Sequence, residues 1–421
     1  MCIEIKYLFI LVVIINTFIN NQGEITQSEL DKIAIENFRN YLRIPSVQPN
    51  INYEKCLNFI KSQAKSLGLP VKIIEVSPKK PVAIITWEGT EPEKSSIMLN
   101  GHMDVVPVVE SEWKYPPFNA TMDENGNIYA RGAQDMKSTS IQYLEAIRQL
   151  KLNNVRLNRT IHVTFVPDEE FGDPGMEYFV KSPEFQSMNV GFALDEGLAN
   201  ENSQFSLYYG ERTILQIWVN CPGEAGHASI LANDTAAEKL RIVIDRFMDF
   251  RTSEKLKLND PNVDPGDVTS VNLSRLKGGI QDNVLPQELS AMFDIRVTPS
   301  RNLTEFEKLI ESWLKEAGEG VNYTTIYRGT PVQSTKLDNN NIFWIAFQKA
   351  ASELNMKYVT RIFQGATDIR YLRELGIPAL GFSTMINTPI LLHASNEYLN
   401  KDIFLNGIGI YMKIISAIAN A

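Results

Sequence analysis

The chain has 421 residues, 44% hydrophobic and 22% charged, enough for two domains and a large core. A formal net charge of −9, with no low-complexity stretch or internal repeat, leaves no basic surplus for a polyanion, so nucleic-acid binding is not expected. Beyond the N-terminal run only Cys56 and Cys221 remain, too few for a disulfide framework and placed in different predicted domains, so both read as free thiols.

Tyr7 to Ile19 is almost wholly apolar, follows Lys6 and ends in the polar Asn20-Asn21-Gln22-Gly23-Glu24. A membrane span needs about 20 apolar residues, so this shorter run has the size of a signal peptide's core. Residues 1–23 are therefore expected to be a signal peptide and the protein to be secreted or lumenal, with an uncleaved signal anchor as the alternative, since no clear A-x-A cleavage site is present. Sequons at Asn119, Asn158, Asn233, Asn272, Asn302 and Asn322 are compatible with that route.

Further along, the apolar run Ser96 to Leu99 reads as a buried strand ended by Gly101, which places His102 of Gly101-His102-Met103-Asp104 at a strand end. Open α/β sheets bind their ligands there. Ala130-Arg131-Gly132-Ala133-Gln134-Asp135 then leads into a helix over about Ser138 to Leu150, where an isolated Asp135 would read as an N-cap. Thr160 to Val166 alternates as a strand and breaks at Pro167, so Glu169 and Glu170 stand at a second strand end. His162, inside that strand and away from any glycine or acid, is read as structural. Phe192-Ala193-Leu194 closes on Asp195-Glu196-Gly197 in the same way.

A second pattern follows. Arg212 to Cys221, Thr269 to Leu276, Leu289 to Val297 and Val321 to Tyr327 read as strands, with helices at Thr235 to Arg251 and Leu303 to Ala317. That order is βαββαβ, the ferredoxin-like arrangement, inserted at 211–330 between two parts of a larger domain at 24–210 and 331–421. His227, in Gly223-Glu224-Ala225-Gly226-His227, by itself reads as a turn histidine before the insert's first helix. Arg296 alternates away from the apolar face of its strand, which by itself suits a solvated or ion-paired side chain. Leu391-Leu392-His393-Ala394-Ser395-Asn396-Glu397 brings one more imidazole near the C-terminus.

Two histidines and at least three carboxylates at strand ends suit zinc, which takes imidazole nitrogen and carboxylate oxygen and, in hydrolytic sites, keeps a position open. Two metals about 3.5 to 4 Å apart, sharing one carboxylate, can polarise a carbonyl and activate water together. Asp135 is the candidate for the shared carboxylate. The pair Glu169-Glu170 suits a division of labour in which one carboxylate binds metal and the other moves protons. Asp104, two residues beyond His102, suits a partner that fixes the imidazole's tautomer.

The ordered set G-H-M-D-V-V-P, R-G-A-Q-D-M-K, P-D-E-E-F-G, D-E-G, G-E-A-G-H-A-S and L-L-H-A-S-N-E resembles the M20 metallopeptidase and amidohydrolase family, most closely its aminoacylase-1 branch, from about Ser28 to the C-terminus. The resemblance implies a zinc-peptidase-like α/β domain with a mixed central sheet flanked by helices, and a lid and dimerisation role for the insert. It implies two zinc ions per subunit, one on His102, Asp135 and Glu196, the other on Asp135, Glu170 and His393. Glu169 becomes the general base, Asp104 the partner of His102, and the Asp135-Met136 peptide cis. Met103 stands where a threonine is expected, but it binds nothing in this scheme. His227 is implied to stabilise the oxyanion from the lid of the other subunit. Asn283 and Arg296 are implied substrate binders, the guanidinium fork matching a free α-carboxylate, with Gly365 as a backbone donor.

The function this implies is hydrolysis of N-acyl-L-amino acids by a homodimer. A dipeptidase or carboxypeptidase of the same family is the alternative, and a catalytically silent binding protein on the same fold a third.

Overall fold

The computed structural model describes residues 25–49, 51–172 and 175–421, so the expected signal peptide at 1–23 lies outside the described residues. Its centre is an eight-stranded sheet in the spatial order Val71–Ser77, Lys80–Trp87, Ile161–Val166, Ser96–His102, Val190–Asp195, Ala379–Phe382, Phe205–Glu211 and Tyr358–Phe363. The four inner strands from Ile161–Val166 to Ala379–Phe382 run parallel, whereas both flanks contain antiparallel pairs, so the sheet is mixed. Because side chains alternate across a strand, Ile97 and Leu99 enter one core and Met98 the other. The larger core lies under the helices Gln27–Leu42, Glu54–Leu67, Lys137–Leu152, Ile342–Glu353 and Lys401–Ala419, and the smaller under Gly175–Val180, Pro183–Ser187 and Arg370–Glu374.

Lys401–Ala419 is long and apolar enough to cross a membrane, but Phe404, Ile408, Tyr411, Ile414, Ile415 and Ile418 are buried where it packs on Lys137–Leu152 and Ile342–Glu353. It is a core helix here. Gly101 does not end its strand, which continues to His102. A Cβ at Gly101 would lie 2.4 Å from Ser140 Oγ, so the glycine allows the helix that follows Asp135 to approach the strand.

Residues 213–328 build a second, four-stranded antiparallel sheet in the order Asn322–Arg328, Thr213–Pro222, Glu288–Val297, Ser270–Gly278. In chain order this is strands 4-1-3-2, the ferredoxin-like arrangement. The helices Ala236–Lys257 and Leu303–Ala317 cover one face, where Phe247 stacks on Phe293 with ring centroids 3.9 Å apart and Trp313 meets Phe247 edge-on. Burial alternates strictly along Thr213–Pro222, so the other face presents Ile214 and Gln216 outward.

Candidate metal centre

Parallel inner strands bring their carboxyl ends to one edge of the sheet, and the candidate residues collect there. His102 ends one strand, Glu169 and Glu170 follow Val166 in a single 3-10 turn, and Glu196 follows Asp195. Asp135 enters from the turn before Lys137–Leu152, preceding a cis peptide to Met136. It is not a cap, because the N-cap position is Met136 and no side chain caps that helix. His393 arrives from the loop before Tyr398–Asn400 with a left-handed backbone, φ 60°.

Asp135 stands between the two histidines. Its Oδ1 lies 3.0 Å from His102 Nε2, and its Oδ2 lies 3.1 Å from His393 Nε2. Glu196 Oε2 approaches His102 Nε2 at 3.8 Å, while Glu170 Oε2 approaches His393 Nε2 at 2.9 Å. Donor atoms of His102, Asp135 and Glu170 all fall within 4.8 Å of one another, as do those of His102, Glu169 and Glu196. Glu169 is thus inside the cluster, but only Glu170 of the two is paired with His393. His102 Nδ1 lies 2.9 Å from the carbonyl oxygen of Asp104, which can only accept, so that nitrogen carries hydrogen and Nε2 is the one turned to the carboxylates. The Asp104 carboxylate stands 3.6 Å from the same nitrogen and also accepts the backbone N–H groups of Glu169 at 3.2 Å and Glu170 at 3.1 Å. Asp104 therefore ties two strand ends together.

The charges of the cluster fit a cation. Burial, then the Glu196 charge, pushes Glu169 well above the usual carboxylate range, and burial with the Asp135 charge does the same to Glu196. Burial and Asp135 raise Glu170 to about 7. Hydrogen bonds to Asp135 and Glu170 raise His393 to about 10. Burial opposes charge on His102, but its bonds to Asp104, Asp135 and Glu196 outweigh it and favour the charged ring. Like charges this close hold protons only because positive charge is scarce, and a divalent metal supplies it. Glu170 Oε1 is buried with no hydrogen-bond partner, a donor atom available to such an ion.

Sequence reasoning gave no role to Glu397 and Arg131, which brace two of these loops. Glu397 is fully buried and accepts from the N–H of Gly132 at 3.1 Å, Gln134 at 2.6 Å and Asp135 at 3.3 Å. It pairs with Arg131 at 2.7 Å, and the guanidinium also donates to the carbonyls of His393 and Ala394, each at 3.1 Å. Positions of Asp135 and His393 are thereby fixed relative to each other. The motif strings contained both residues, but nothing local marks a contact 266 residues apart.

Above the cluster is a cavity of about 830 Å³ whose wall includes Asp135, Glu169, Glu170, Glu196 and His393 on one side and Arg296, Asp294 and Gln216 of the smaller sheet's helix-free face on the other. Gly365 lines it too. Nε and one Nη of Arg296 already donate to Asp294, at 2.8 and 3.2 Å. His227 and Asn283 do not line this cavity. They belong to a short ribbon in which Gly226–His227 pairs with Val284–Leu285, and His227 is exposed there, its Nδ1 2.8 Å from Ser229 Oγ. His162 is buried in its strand, 3.0 Å from Thr86 Oγ1, and away from the cluster. Cys56 and Cys221 are both buried and free.

Residues 98–417 match the profile of peptidase family M20/M25/M40. The chain is 49% identical to aminoacylase-1A of Rattus norvegicus over 394 residues, covering 93% of this chain and 97% of that one. It is 47% identical to aminoacylase-1 of Homo sapiens over 385 residues, covering 91% and 94%. Among solved structures it resembles an M20 family metallo-carboxypeptidase of Sulfolobus solfataricus, with TM-score 0.72, 18% identity and coverage of 92% and 99%. It also resembles a dinuclear metal-binding M20 peptidase of Bacillus subtilis, with TM-score 0.66, 15% identity and coverage of 93% and 99%. At such identities the structural likeness speaks for the fold alone.

Proposed function

This chain belongs to peptidase family M20/M25/M40, and from that premise we propose that it is a dinuclear zinc amidohydrolase that splits N-acyl-L-amino acids into a carboxylate and a free L-amino acid. The observation that carries the choice of substrate is identity of 47% to 49% with aminoacylase-1 proteins over more than nine-tenths of the chain. A count of two metals is supported by the division of Asp135, one oxygen toward each histidine. In this reading His102, Asp135 and Glu196 hold one zinc, and Asp135, Glu170 and His393 the other.

Zinc in those positions supplies Lewis acidity toward a carbonyl oxygen and lowers the pKa of water. The protein's own groups do the rest. Glu169, free of a histidine partner and raised by burial and Glu196, takes the proton of the attacking water and returns it to the departing amide nitrogen. Asp104 holds the Glu169-Glu170 turn by two backbone amides. The cavity's far wall receives the amino-acid part, with Arg296 offering the guanidinium edge that Asp294 leaves open and Gly365 a backbone N–H. His227 and Asn283, off the cavity of their own chain, serve the site of a second subunit in a homodimer. Ile230, Leu231 and Ile280 are all exposed beside that ribbon, Leu231 completely, as expected of a surface that meets another copy. Entry into the secretory route by residues 1–23 completes the proposal, resting on the apolar run alone.

The test is hydrolysis of N-acetyl-L-methionine beside a dipeptide, on chelated enzyme before and after zinc is restored. Faster zinc-dependent release of methionine from the acyl substrate is expected. Preference for the dipeptide would move the protein to the family's peptidases, and metal binding without turnover of either would make it a silent binder.

A further inference from the structure

The turn that carries Glu169 and Glu170 begins at Asp168, whose backbone is left-handed at φ 64°, ψ 30°. A residue other than glycine in that region is strained unless its surroundings hold it. Here they do. The buried Asp168 carboxylate accepts from Gln48 Nε2 at 2.7 Å and from the Tyr53 hydroxyl at 2.6 Å, and it pairs with Lys80. The Asp168 N–H donates back to the Tyr53 oxygen at 3.1 Å. Gln48 spends its second amide hydrogen on Asp104, at 2.9 Å, the same carboxylate that receives the Glu169 and Glu170 amides. Gln48 is itself fixed, since its N–H donates to the carbonyl of Val105 at 3.1 Å. Asp168 is thus met by side chains that lie 120 and 115 residues earlier, Gln48 and Tyr53, together with Lys80, and none of the three lines the cavity.

We propose that Gln48, Tyr53 and Lys80 form a clamp of positioning residues that holds Asp168 in its left-handed conformation and thereby aims Glu169 at the metal cluster while Glu170 faces His393. Two carboxylates in adjacent positions of one chain ordinarily diverge with thermal motion of the turn. Clamping the residue before them makes the division of labour between them geometric.

Tyr53→Phe removes only a hydroxyl, and Gln48→Met keeps volume, so both are expected to fold. Each should lower kcat on N-acetyl-L-methionine by roughly 10- to 100-fold, the order expected from a displacement of about 1 Å at a reacting group, with KM and bound metal little changed. In a Glu169→Gln background, Tyr53→Phe should add nothing, because a residue acting through Glu169 falls silent once Glu169 cannot take a proton. Asp168→Gly separates conformation from clamping, since glycine adopts this backbone freely but offers no carboxylate, and it should lose kcat as well. The inference rests on the proposed role of Glu169. Full turnover by Glu169→Gln alone would sink that role, whereas a crippled Glu169→Gln beside fully active Tyr53→Phe and Gln48→Met would sink only the clamp. Loss of kcat that merely tracks lost metal, an equal further loss in the Glu169→Gln background, or wild-type kcat in Asp168→Gly would each overturn it as well.

Discussion

Replacing Glu397 with glutamine changes one oxygen into an NH2 group and little else, yet the surroundings of that side chain make the change expensive. Its two oxygens serve four donors: Oε2 takes Arg131 and the Gly132 N–H, and Oε1 takes the Gln134 and Asp135 N–H groups. An amide has one accepting end, so whichever way it turns, its NH2 faces two donors and leaves them unmet in a site that is 0% exposed. A buried donor without a partner costs about 1–3 kcal/mol, and breaking a buried ion pair about 3–5 kcal/mol. Arg131 keeps its bonds to the His393 and Ala394 carbonyls, so the total is expected near the ion-pair range, about 3–5 kcal/mol. At about 2 °C per kcal/mol for a large domain, Tm should fall by roughly 6–10 °C. Because the same bonds set Asp135 against His393, metal affinity should weaken about 10- to 100-fold, the usual cost of losing a ligand's support. Thermal unfolding with metal bound, together with competition against a chelator of known affinity, measures both. A Tm change of less than about 2 °C with unaltered metal affinity would show that Glu397 does not brace these loops and that the reasoning from donor counts fails.

Other consequences are equally direct. Glu169→Gln should keep its metals and lose at least about 100-fold in kcat, whereas Glu170→Gln should lose metal, as elemental analysis and steady-state rates will report; full turnover in the first or full occupancy in the second reverses the roles. His227→Ala and Glu169→Gln should each be nearly inactive alone but regain close to half the wild-type activity in purified mixed dimers, where one site has both residues intact; mixed dimers as inactive as their parents would confine His227 to its own chain. Burial lowers His162 to about 4, below its ordinary 6.5, so the folded state resists a proton that the unfolded chain accepts. Stability from this group is present above pH 6.5 and is lost as pH falls toward 4, which amounts to about 2 kcal/mol by pH 5. His162→Gln should therefore lose less stability than the wild type between pH 8 and pH 5, and parallel pH curves for the two proteins would count against a buried neutral imidazole.

What could be read in advance was whatever leaves a local mark. Glycine, proline and acidic residues break apolar runs at His102, Glu169 and Glu196, and such breaks betray strand ends whatever the rest of the chain does. Spacing of the insert's strands and helices likewise gave its element order, which the smaller sheet reproduces. Contacts across the chain left no mark. Asp104 reads as a partner for the imidazole two residues away, but nothing local announces that its carboxylate, 3.6 Å from that ring, also accepts amides 65 and 66 positions later. Gly101 looked like a strand terminator because glycine often is one, and only the approach of Ser140 explains it. Gln48 and Tyr53 sit in an ordinary polar loop whose sequence does not say where it lands.

The place of Ala379–Phe382 in the sheet has a consequence for biosynthesis. This strand lies between Val190–Asp195 and Phe205–Glu211, elements made some 170 residues earlier, so a nascent chain that has finished both still lacks the strand that joins them. Until residue 382 clears the ribosome, two hydrophobic strands present unpaired edges, and His393 has not yet reached Asp135 and Glu170 of the amino-terminal half. The nascent protein is therefore most exposed to misassembly late in translation. Premature stop codons anywhere before this strand should yield aggregates or degraded fragments that no added zinc can rescue.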